Sequence, residues 1–312
     1  MIFTMNRLTL FAILAAAFPL AQAPSALAAA PARIIELWPS TAPGEKGDIG
    51  EEKDTTKPTD GLIAGKRVIR LGNVSRPTLA LYPAPGRKDV GTTVLVVPGG
   101  GYHILAMDLE GTEVCGWLNS IGVSAALLKY RVPARAGLPR HAAPLQDAQR
   151  AMGILRSRAS ELGIRSGRLG AIGFSAGGHL VAALSSATDR TYGRLDAADG
   201  FSARPDFNII IHPGYLVLKE QGDQIAPDVA VTTNSPPTFL AMTQDDPVRV
   251  ENAVLYYMAL KQAGVPAELH AYPTGGHGYG LRRTEHFVTT WPDRAGDWMR
   301  SRGLLARPGK PR

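Results

Sequence analysis

A serine between two glycines is the first candidate for chemistry in this chain. The stretch "GFSAGG" places Ser175 in the pattern G-x-S-x-G, together with Gly173 and Gly177. The pattern often arises by chance, but here it joins an apolar run typical of a strand to a run typical of a helix. A sharp turn of that kind exposes the hydroxyl at a helix N-terminus. We therefore interpret Ser175 as an acyl-transfer nucleophile, against the alternative of a Ser/Gly helix start without function.

A glycine-rich turn is the second candidate feature. It lies in "VVPGGGY", directly after an apolar run that predicts a strand buried on both faces. Acyl transfer needs donors aimed at the oxygen that becomes negative, and glycines can present backbone N–H groups to it. We predict the donors to be Gly100, Gly101 and Ala176, and we expect Tyr102 to line the acyl side. A turn without function is the alternative; a phosphate loop is disfavoured because no Gly-Lys-Ser/Thr follows.

A histidine must act as the base in such chemistry. Hydrolases with a nucleophile at this kind of turn keep the chain order nucleophile, acid, base. The candidate acids are the adjacent aspartates at 245 and 246, and the histidines that follow them are His270, His277 and His286. His270 lies inside a predicted strand and His286 in the closing helical segment, so His277, in the loop "GGHGYG", is the predicted base. The remaining histidines are His103, His141, His179 and His212. Their spacing is not typical of metal ligands, so we expect no metal site, and we expect no cofactor.

Two adjacent aspartates are candidates for the acid. Asp245 directly follows the predicted strand "PTFLAMTQ", where an acid could meet a loop histidine. Asp246 precedes Pro247, and proline favours the first position of a helix. Asp246 is therefore suited to cap the helix that follows, with its carboxylate accepting backbone N–H groups. We predict that Asp245 is the catalytic acid, and a shift by one position stays open.

These candidates need elements that bring them together. From about residue 67 to 305, apolar runs that predict strands alternate with amphipathic runs that predict helices. This alternation predicts an α/β domain with a mainly parallel sheet and helices on both faces. Residues 31–66 are polar and rich in Gly and Pro, and they predict an arm or long loop that packs on the domain. In such a sheet ligands bind at the carboxyl ends of the strands.

The chain termini and composition restrict the function classes. Residues 1–30 contain Arg7, an apolar stretch, and Ala-x-Ala sites, which is typical of a secretory signal; the stretch is too short to span a membrane. We expect an exported protein, periplasmic or secreted, with no membrane attachment after cleavage. The net charge is +7, but the basic residues are scattered along the chain, which disfavours nucleic-acid binding. Cys115 is the one cysteine, so no internal disulfide can form.

The motifs together resemble a known superfamily. "GFSAGGHL", "PGGGY", "QDDPVRVENA" and "GGHGYGL" are similar to motifs of the alpha/beta hydrolases, and over roughly residues 35–305 the chain resembles exported acetyl esterases of the acetylxylan-esterase and dienelactone-hydrolase-like kind. "EGTEV", "LKYRVP" and "DAQRAM" also recur in that branch. One departure is Pro98, which replaces the histidine that opens the corresponding turn of many lipases. That histidine is not an oxyanion donor.

The resemblance implies a fold and a reaction. It implies an eight-stranded sheet and an acyl-enzyme mechanism, and its pattern of a valine three residues after the acid favours Asp245 through Val248. We expect a serine ester hydrolase acting on an acetylated saccharide such as xylan, without a cofactor; the oligomeric state stays open. The alternatives are a dipeptidyl-peptidase-type serine peptidase and a non-catalytic carbohydrate-binding protein on a hydrolase fold.

Overall fold

A central sheet of eight strands organises the protein. The computed structural model describes residues 30–306. In chain order, the strands are β1 Arg33–Glu36, β2 Thr78–Tyr82, β3 Thr93–Val97, β4 Ser124–Lys129, β5 Leu169–Phe174, β6 Asn208–Ile211, β7 Thr238–Thr243 and β8 Ala267–Tyr272. Their spatial order is β1-β2-β4-β3-β5-β6-β7-β8. Strand β2 is antiparallel to both its neighbours, and the pairs from β4 to β8 are parallel. The predicted mainly parallel, eight-stranded sheet is confirmed.

Five helices cover the two faces of this sheet. They are α1 Glu113–Ser120, α2 Ala142–Ser157, α3 Ala176–Ser186, α4 Glu251–Gln262 and α5 Trp291–Ser301. Residues of α2, α3 and α4 belong to one buried apolar cluster, and residues of α1 and α5 belong to another. Strand β3, with the sequence TVLVV, is buried throughout because its side chains alternate between the two clusters.

The predicted arm at residues 31–66 contains strands that its sequence did not indicate. It contributes β1 to the edge of the central sheet, and Lys53–Asp54 to a small sheet with Arg70–Gly72 and Leu105–Ala106. Strand β1 is mostly exposed, so it lacks the alternation of apolar and polar residues that marks a half-buried strand. After β1, the side chains of Leu37 and Trp38 are buried in the core.

Two sequence expectations concern the ends of the chain and membranes. The predicted export signal covers residues 1–30, and residues 1–29 lie outside the described part of the chain. Between residues 30 and 306, none of the helices combines the length and the apolar character that a membrane span requires.

The parallel strands place several loops at one edge of the sheet. Strands β3, β5, β7 and β8 run in the same direction, so the loops after them meet at their carboxyl ends. These are the glycine-rich turn, the turn with Ser175, the aspartate pair and the loop with His277. The fold therefore collects the four sequence candidates at one place.

Candidate active site

Ser175 occupies a strained turn between β5 and α3. Its backbone has φ 51° and ψ −118°, a conformation that L-residues rarely adopt. The flanking glycines make the turn possible: a Cβ on Gly173 would lie 2.2 Å from the carbonyl oxygen of Gly177, and one on Gly177 would lie 2.2 Å from that of Val97. The close approach of strand and helix thus depends on both glycines, and it leaves Ser175 partly exposed.

His277 joins the serine to a carboxylate. Its Nε2 lies 2.8 Å from Ser175 Oγ, and its Nδ1 lies 2.7 Å from Asp246 Oδ2. An ionised carboxylate only accepts, so Nδ1–H donates to Asp246 and the Nε2 lone pair faces the serine hydroxyl. The Asp246 side chain is fully buried while the His277 side chain stays 25% exposed. The imidazole is therefore held from its buried side and reachable from the solvent side.

The contact with Asp246 corrects the prediction of Asp245. Asp245 Oδ1 and Oδ2 accept the backbone N–H groups of Gly276 and Gly275, at 2.9 and 3.1 Å, whereas the His277 ring has its hydrogen-bond contact with Asp246. The hydrogen bond from the Gly276 N–H holds the pKa of Asp245 below its usual range. Both acids follow β7, and the turn after Thr243 directs the second, not the first, towards the histidine.

Asp246 also differs from the helix cap that was predicted. Helix α4 begins at Glu251, later than the sequence indicated. Asp246 instead closes a tight turn, in which its Oδ1 accepts the Val248 N–H at 2.7 Å and its carbonyl accepts the Arg249 N–H. One carboxylate oxygen therefore fixes this turn, and the other meets His277.

The loop after β8 needs unusual backbone angles to present His277. Gly275, Gly276 and Gly278 have φ values of 141°, 63° and 72°, which favour glycine. Thr243 Oγ1 donates to the Gly276 carbonyl at 2.7 Å, and Asp245 accepts the two N–H groups described above. The end of β7 therefore fixes the loop backbone just before the histidine.

The glycine-rich turn contains Gly100 and Gly101, two of the three residues predicted as oxyanion donors. Gly100 and Gly101 have φ values of 137° and 63°. Within residues 30–306, no protein acceptor takes the N–H of Gly100, Gly101 or Ala176, while the Gly100 carbonyl accepts the N–H groups of His103 and Ile104. Hydrogen bonds to the Gly100 carbonyl hold the turn in place. The N–H groups of Gly100, Gly101 and Ala176 therefore remain available to a ligand.

A buried glutamate anchors the start of this turn. Glu110 Oε2 accepts the Gly99 N–H at 2.8 Å, and the Tyr130 hydroxyl donates to the Pro98 carbonyl at 2.7 Å. A Cβ on Gly99 would lie 3.0 Å from Ser175 Cβ and 2.8 Å from Glu110 Oε2. Burial raises the pKa of Glu110 to about 7, although the Gly99 N–H opposes this rise.

His212 fills the space behind the candidate base. Its ring is fully buried, with its centroid 4.5 Å from that of His277 and 4.7 Å from that of Tyr279. Burial and the nearby His277 hold its pKa well below the usual range, so the ring is neutral. Neither ring nitrogen has a hydrogen-bond partner in the described protein, and Nε2 lies 3.6 Å from Glu110 Oε1.

Tyr102 does not line an open acyl pocket, contrary to the prediction. Its side chain is fully buried and its hydroxyl lies 2.8 Å from His179 Nδ1. The left-handed backbone at Tyr102, with φ 65°, turns the side chain into the protein. Its ring stacks on Tyr215, which is partly exposed and whose hydroxyl lies 3.8 Å from the position of a Cβ on Gly101. Tyr215, with exposed His103, flanks the mouth of the site.

The sequence did not single out Glu110, His212 or Tyr215. Glu110 lies in "EGTEV", a segment that carried the family resemblance but no role. His212 lies near the end of the predicted strand "FNIIIHP", and Tyr215 lies just after it, which is the position that marked the other candidates. The loop after β6 could therefore have been included by the same rule.

Known proteins are similar to this chain in sequence and architecture. The family model BD-FAE matches residues 79–213. A solved acetyl ester-xyloside bifunctional hydrolase from Caldicellulosiruptor lactoaceticus is 32% identical, with a TM-score of 0.65 over 88% of this chain and 98% of its own. An acetylxylan esterase of Xylanibacter ruminicola is 28% identical over 235 residues, which is 68% of this chain. An endo-1,4-beta-xylanase B of Butyrivibrio fibrisolvens is 29% identical over 232 residues, or 69% of this chain.

The extent of these matches differs between the relatives. The aligned region is 46% of the Xylanibacter protein and 36% of the Butyrivibrio protein, so this chain spans less than half the length of each. The Caldicellulosiruptor structure is matched over nearly its whole length, at more than 30% identity. On sequence and fold together, the chain belongs to the alpha/beta-hydrolase superfamily and, within it, to an acetylxylan-esterase-like branch.

Proposed function

We propose that this protein is a serine carboxylic-ester hydrolase that removes acetyl groups from an acetylated saccharide, such as plant cell-wall xylan. The observation that carries the proposal is the continuous chain of hydrogen-bond distances from Ser175 through His277 to Asp246. It lies beside a glycine-rich turn with available N–H groups. A nucleophile, a base and an orienting acid in this arrangement are suited to acyl transfer.

Acylation begins when Ser175 Oγ attacks the ester carbonyl and His277 Nε2 takes the hydroxyl proton. The carbonyl oxygen becomes an oxyanion that accepts from the N–H groups of Gly100, Gly101 and Ala176. The carboxylate of Asp246 stabilises the imidazolium. His277 then gives its proton to the leaving alcohol, the carbon–oxygen bond of the ester breaks, and the acetyl group stays on Ser175.

Deacylation repeats these steps with water. His277 takes a proton from the water, whose oxygen attacks the acetyl-serine carbonyl through a second oxyanion. The bond to Ser175 Oγ breaks, His277 returns the proton to that oxygen, and acetate leaves. Neither half of the cycle requires a cofactor.

A saccharide substrate is supported by the surface beside the site and by the relatives. The Tyr215 ring is partly exposed near Gly101, and the Arg140 guanidinium lies 4.2 Å from the centre of that ring. The phenol hydroxyl and the guanidinium can form hydrogen bonds with the hydroxyl groups of a sugar ring. The names of the Caldicellulosiruptor and Xylanibacter relatives refer to acetyl esters and xylan.

Export is part of this proposal, because residues 1–30 have the composition of a secretory signal. Expression of the gene in a bacterial host should yield a mature protein in the periplasm or the medium. N-terminal sequencing of that product should find a start near residue 31. A product that retains Met1 and stays with the cytoplasm would contradict export but would not affect the hydrolase proposal.

Substrate profiling tests the activity directly. The protein and its Ser175→Ala variant are compared on p-nitrophenyl acetate, longer p-nitrophenyl esters, an alanyl-proline anilide and acetylated xylan. We expect the protein to cleave the acetate best among the p-nitrophenyl esters and to release acetate from the xylan, and the variant to lose both activities. Cleavage of the anilide alone would indicate a peptidase. Equal activity of the Ser175→Ala variant would refute the mechanism.

A further inference from the structure

Three side chains from distant parts of the chain form a compact cluster of metal-ligand type. His141 precedes α2, His179 lies in α3, and Asp228 lies in the short turn Pro227–Val229. His179 Nε2 is 3.1 Å from Asp228 Oδ2, and His141 Nδ1 is 3.2 Å from the same oxygen. The three potential ligand atoms all lie within 4.8 Å of one another. We call these three residues the histidine–aspartate cluster.

The donor set and the spacing of the cluster suit a tetrahedral ion. Two imidazole nitrogens and one carboxylate oxygen form a common set for Zn²⁺, which binds such atoms at about 2.0–2.1 Å. In a tetrahedron with bonds of that length, neighbouring ligand atoms are about 3.3 Å apart. The two measured separations, 3.1 and 3.2 Å, are close to that edge. An ion could therefore enter after small movements of the side chains.

A second layer of contacts fixes the central ligand. The Tyr102 hydroxyl lies 2.8 Å from His179 Nδ1, and both side chains are buried. A hydrogen bond from Nδ1–H to Tyr102 leaves the lone pair on Nε2, the nitrogen that faces Asp228. Metal-ligating histidines nearly always have such a partner on the other ring nitrogen. Because the Tyr102 hydroxyl can accept as well as donate, it can stabilise the Nδ1–H tautomer that metal binding at Nε2 requires.

The opposite side of the cluster is open to solvent. The Asp228 side chain is 32% exposed and that of His141 is 16% exposed, whereas that of His179 is 2% exposed. An ion can therefore reach the carboxylate from solution. A water molecule can supply the fourth ligand, which three protein donors leave open.

We propose that the histidine–aspartate cluster binds one divalent ion of the zinc type, with three protein ligands and a water molecule. The ion connects the start of α2, α3 and the turn Pro227–Val229. Through His179 and Tyr102 it also supports the glycine-rich turn that presents Gly100 and Gly101. The proposal rests on the cluster geometry alone and is independent of the ester-hydrolase assignment.

Cobalt and zinc binding test the site without an activity assay. Untagged protein is stripped with a chelator, dialysed and titrated with Co²⁺, whose tetrahedral complexes absorb visible light strongly. We expect absorption that saturates at one equivalent and is displaced by Zn²⁺. Calorimetry with Zn²⁺ alone should give the same stoichiometry, and Zn²⁺ should raise the melting temperature of the stripped protein.

Variants locate the ion. Asp228→Asn and His141→Ala, at partly exposed positions, should abolish the saturating signal, and Tyr102→Phe should weaken Zn²⁺ affinity by about 10- to 100-fold. His103→Ala and His277→Ala are the controls, because their imidazoles are outside the cluster, and both should keep the signal. Circular dichroism of the stripped variants establishes that they are folded. Absence of Co²⁺ absorption in the unaltered protein, or an unchanged signal in folded Asp228→Asn and His141→Ala, would overturn the proposal.

Discussion

The two adjacent aspartates after β7 contact different parts of the loop that contains His277. Asp246 meets the His277 ring, while Asp245 accepts N–H groups from the backbone that leads to it. In the proposed mechanism, exchanging the Asp246 carboxylate for an amide would remove the charge that stabilises the imidazolium and would favour the wrong tautomer. Asp245 has only an indirect effect, through the position of the loop.

We expect Asp246→Asn to lower kcat by about 10⁴-fold, as for the orienting acid of other triads. Asp245→Asn should retain far more activity, because Thr243 also holds the loop through Gly276. Initial rates on p-nitrophenyl acetate, with folding monitored by circular dichroism, measure both effects. A larger loss in Asp245→Asn than in Asp246→Asn would mean that the acid is misassigned.

The sequence predicted the two side chains that lie together, Ser175 and His277, but not the carboxylate that contacts the histidine. The first two have local signals: a glycine-flanked serine between a strand and a helix, and a histidine in a glycine-rich loop after the last strand. The acid depends on the exact turn after β7, where one residue decides which side chain faces the histidine. Sequence propensities do not fix a turn to one residue. The helix-cap argument failed because α4 begins at Glu251, after the turn.

Glu110 should make stability depend on pH. Because burial raises its pKa to about 7, the folded protein keeps a proton that the unfolded chain releases above pH 4.5 or so. The free energy of unfolding should therefore fall from about pH 4.5 to pH 7 and level off above it. A pKa rise from 4.5 to about 7 corresponds to roughly 3 kcal/mol.

The variant Glu110→Gln separates this effect from other titrating groups. Its amide oxygen can still accept the Gly99 N–H, but it has no proton to lose. Urea unfolding measures the stability of both proteins at pH 5 and at pH 7.5. Relative to the variant, the unaltered protein should lose about 2 kcal/mol between these two pH values. An equal difference at both values would show that Glu110 is not responsible.

At the scale of elements, the close contact between β3, β5 and α3 depends on glycines. Gly99 lies between Ser175 and Glu110, where a Cβ would be 2.5 Å from the Phe174 carbonyl. We expect Gly99→Ala to displace the glycine-rich turn from Ser175 and to lower kcat by about 10²- to 10³-fold, the usual cost of losing an oxyanion donor. Initial rates on p-nitrophenyl acetate measure this loss.

Gly296→Ala is the matched control for this prediction. A Cβ there, within α5, would meet nothing within 4 Å. Replacing a mid-helix glycine with alanine should raise the free energy of unfolding by about 0.5–1 kcal/mol and leave kcat unchanged. If both variants lost activity to the same extent, the steric argument at Gly99 would fail.

The alternation of elements was predictable and the edge of the sheet was not. Strand β3 and helices α2 and α3 have strong apolar patterns because they are covered by other elements. Strand β1 lies at an edge and is mostly exposed, so its pairing with β2 leaves no pattern in its sequence. The histidine–aspartate cluster was missed for a related reason, because its members are far apart along the chain.

At the scale of the whole molecule, the N-terminal segment is part of the core. Trp38 is 6% exposed, packs edge-on against Tyr192, and donates from Nε1 to Asp147 Oδ1 at 2.8 Å. Asp147 also pairs with Arg131, and both of those side chains are fully buried. The segment therefore covers a buried ion pair as well as apolar surface.

Removing the indole tests this role. We expect Trp38→Ala to lower the free energy of unfolding by about 3–5 kcal/mol, the usual cost of truncating a large buried aromatic residue. Phe287→Ala is the control, because Phe287 is 75% exposed and its loss should change stability by no more than about 0.5 kcal/mol. Urea unfolding of both variants measures the difference, and similar small effects would mean that residues 31–66 are a dispensable arm.

The left-handed backbone of Ser175, with φ 51°, places the proposed nucleophile but lowers the thermal stability of the fold. Residues held at such angles store about 1–3 kcal/mol, which the rest of the fold must offset. Because glycine adopts these angles freely, Ser175→Gly should melt at a higher temperature than Ser175→Ala, although neither has a nucleophile. Selection for thermal tolerance alone would therefore favour loss of the serine, and an improved industrial variant would have to gain its stability elsewhere in the fold.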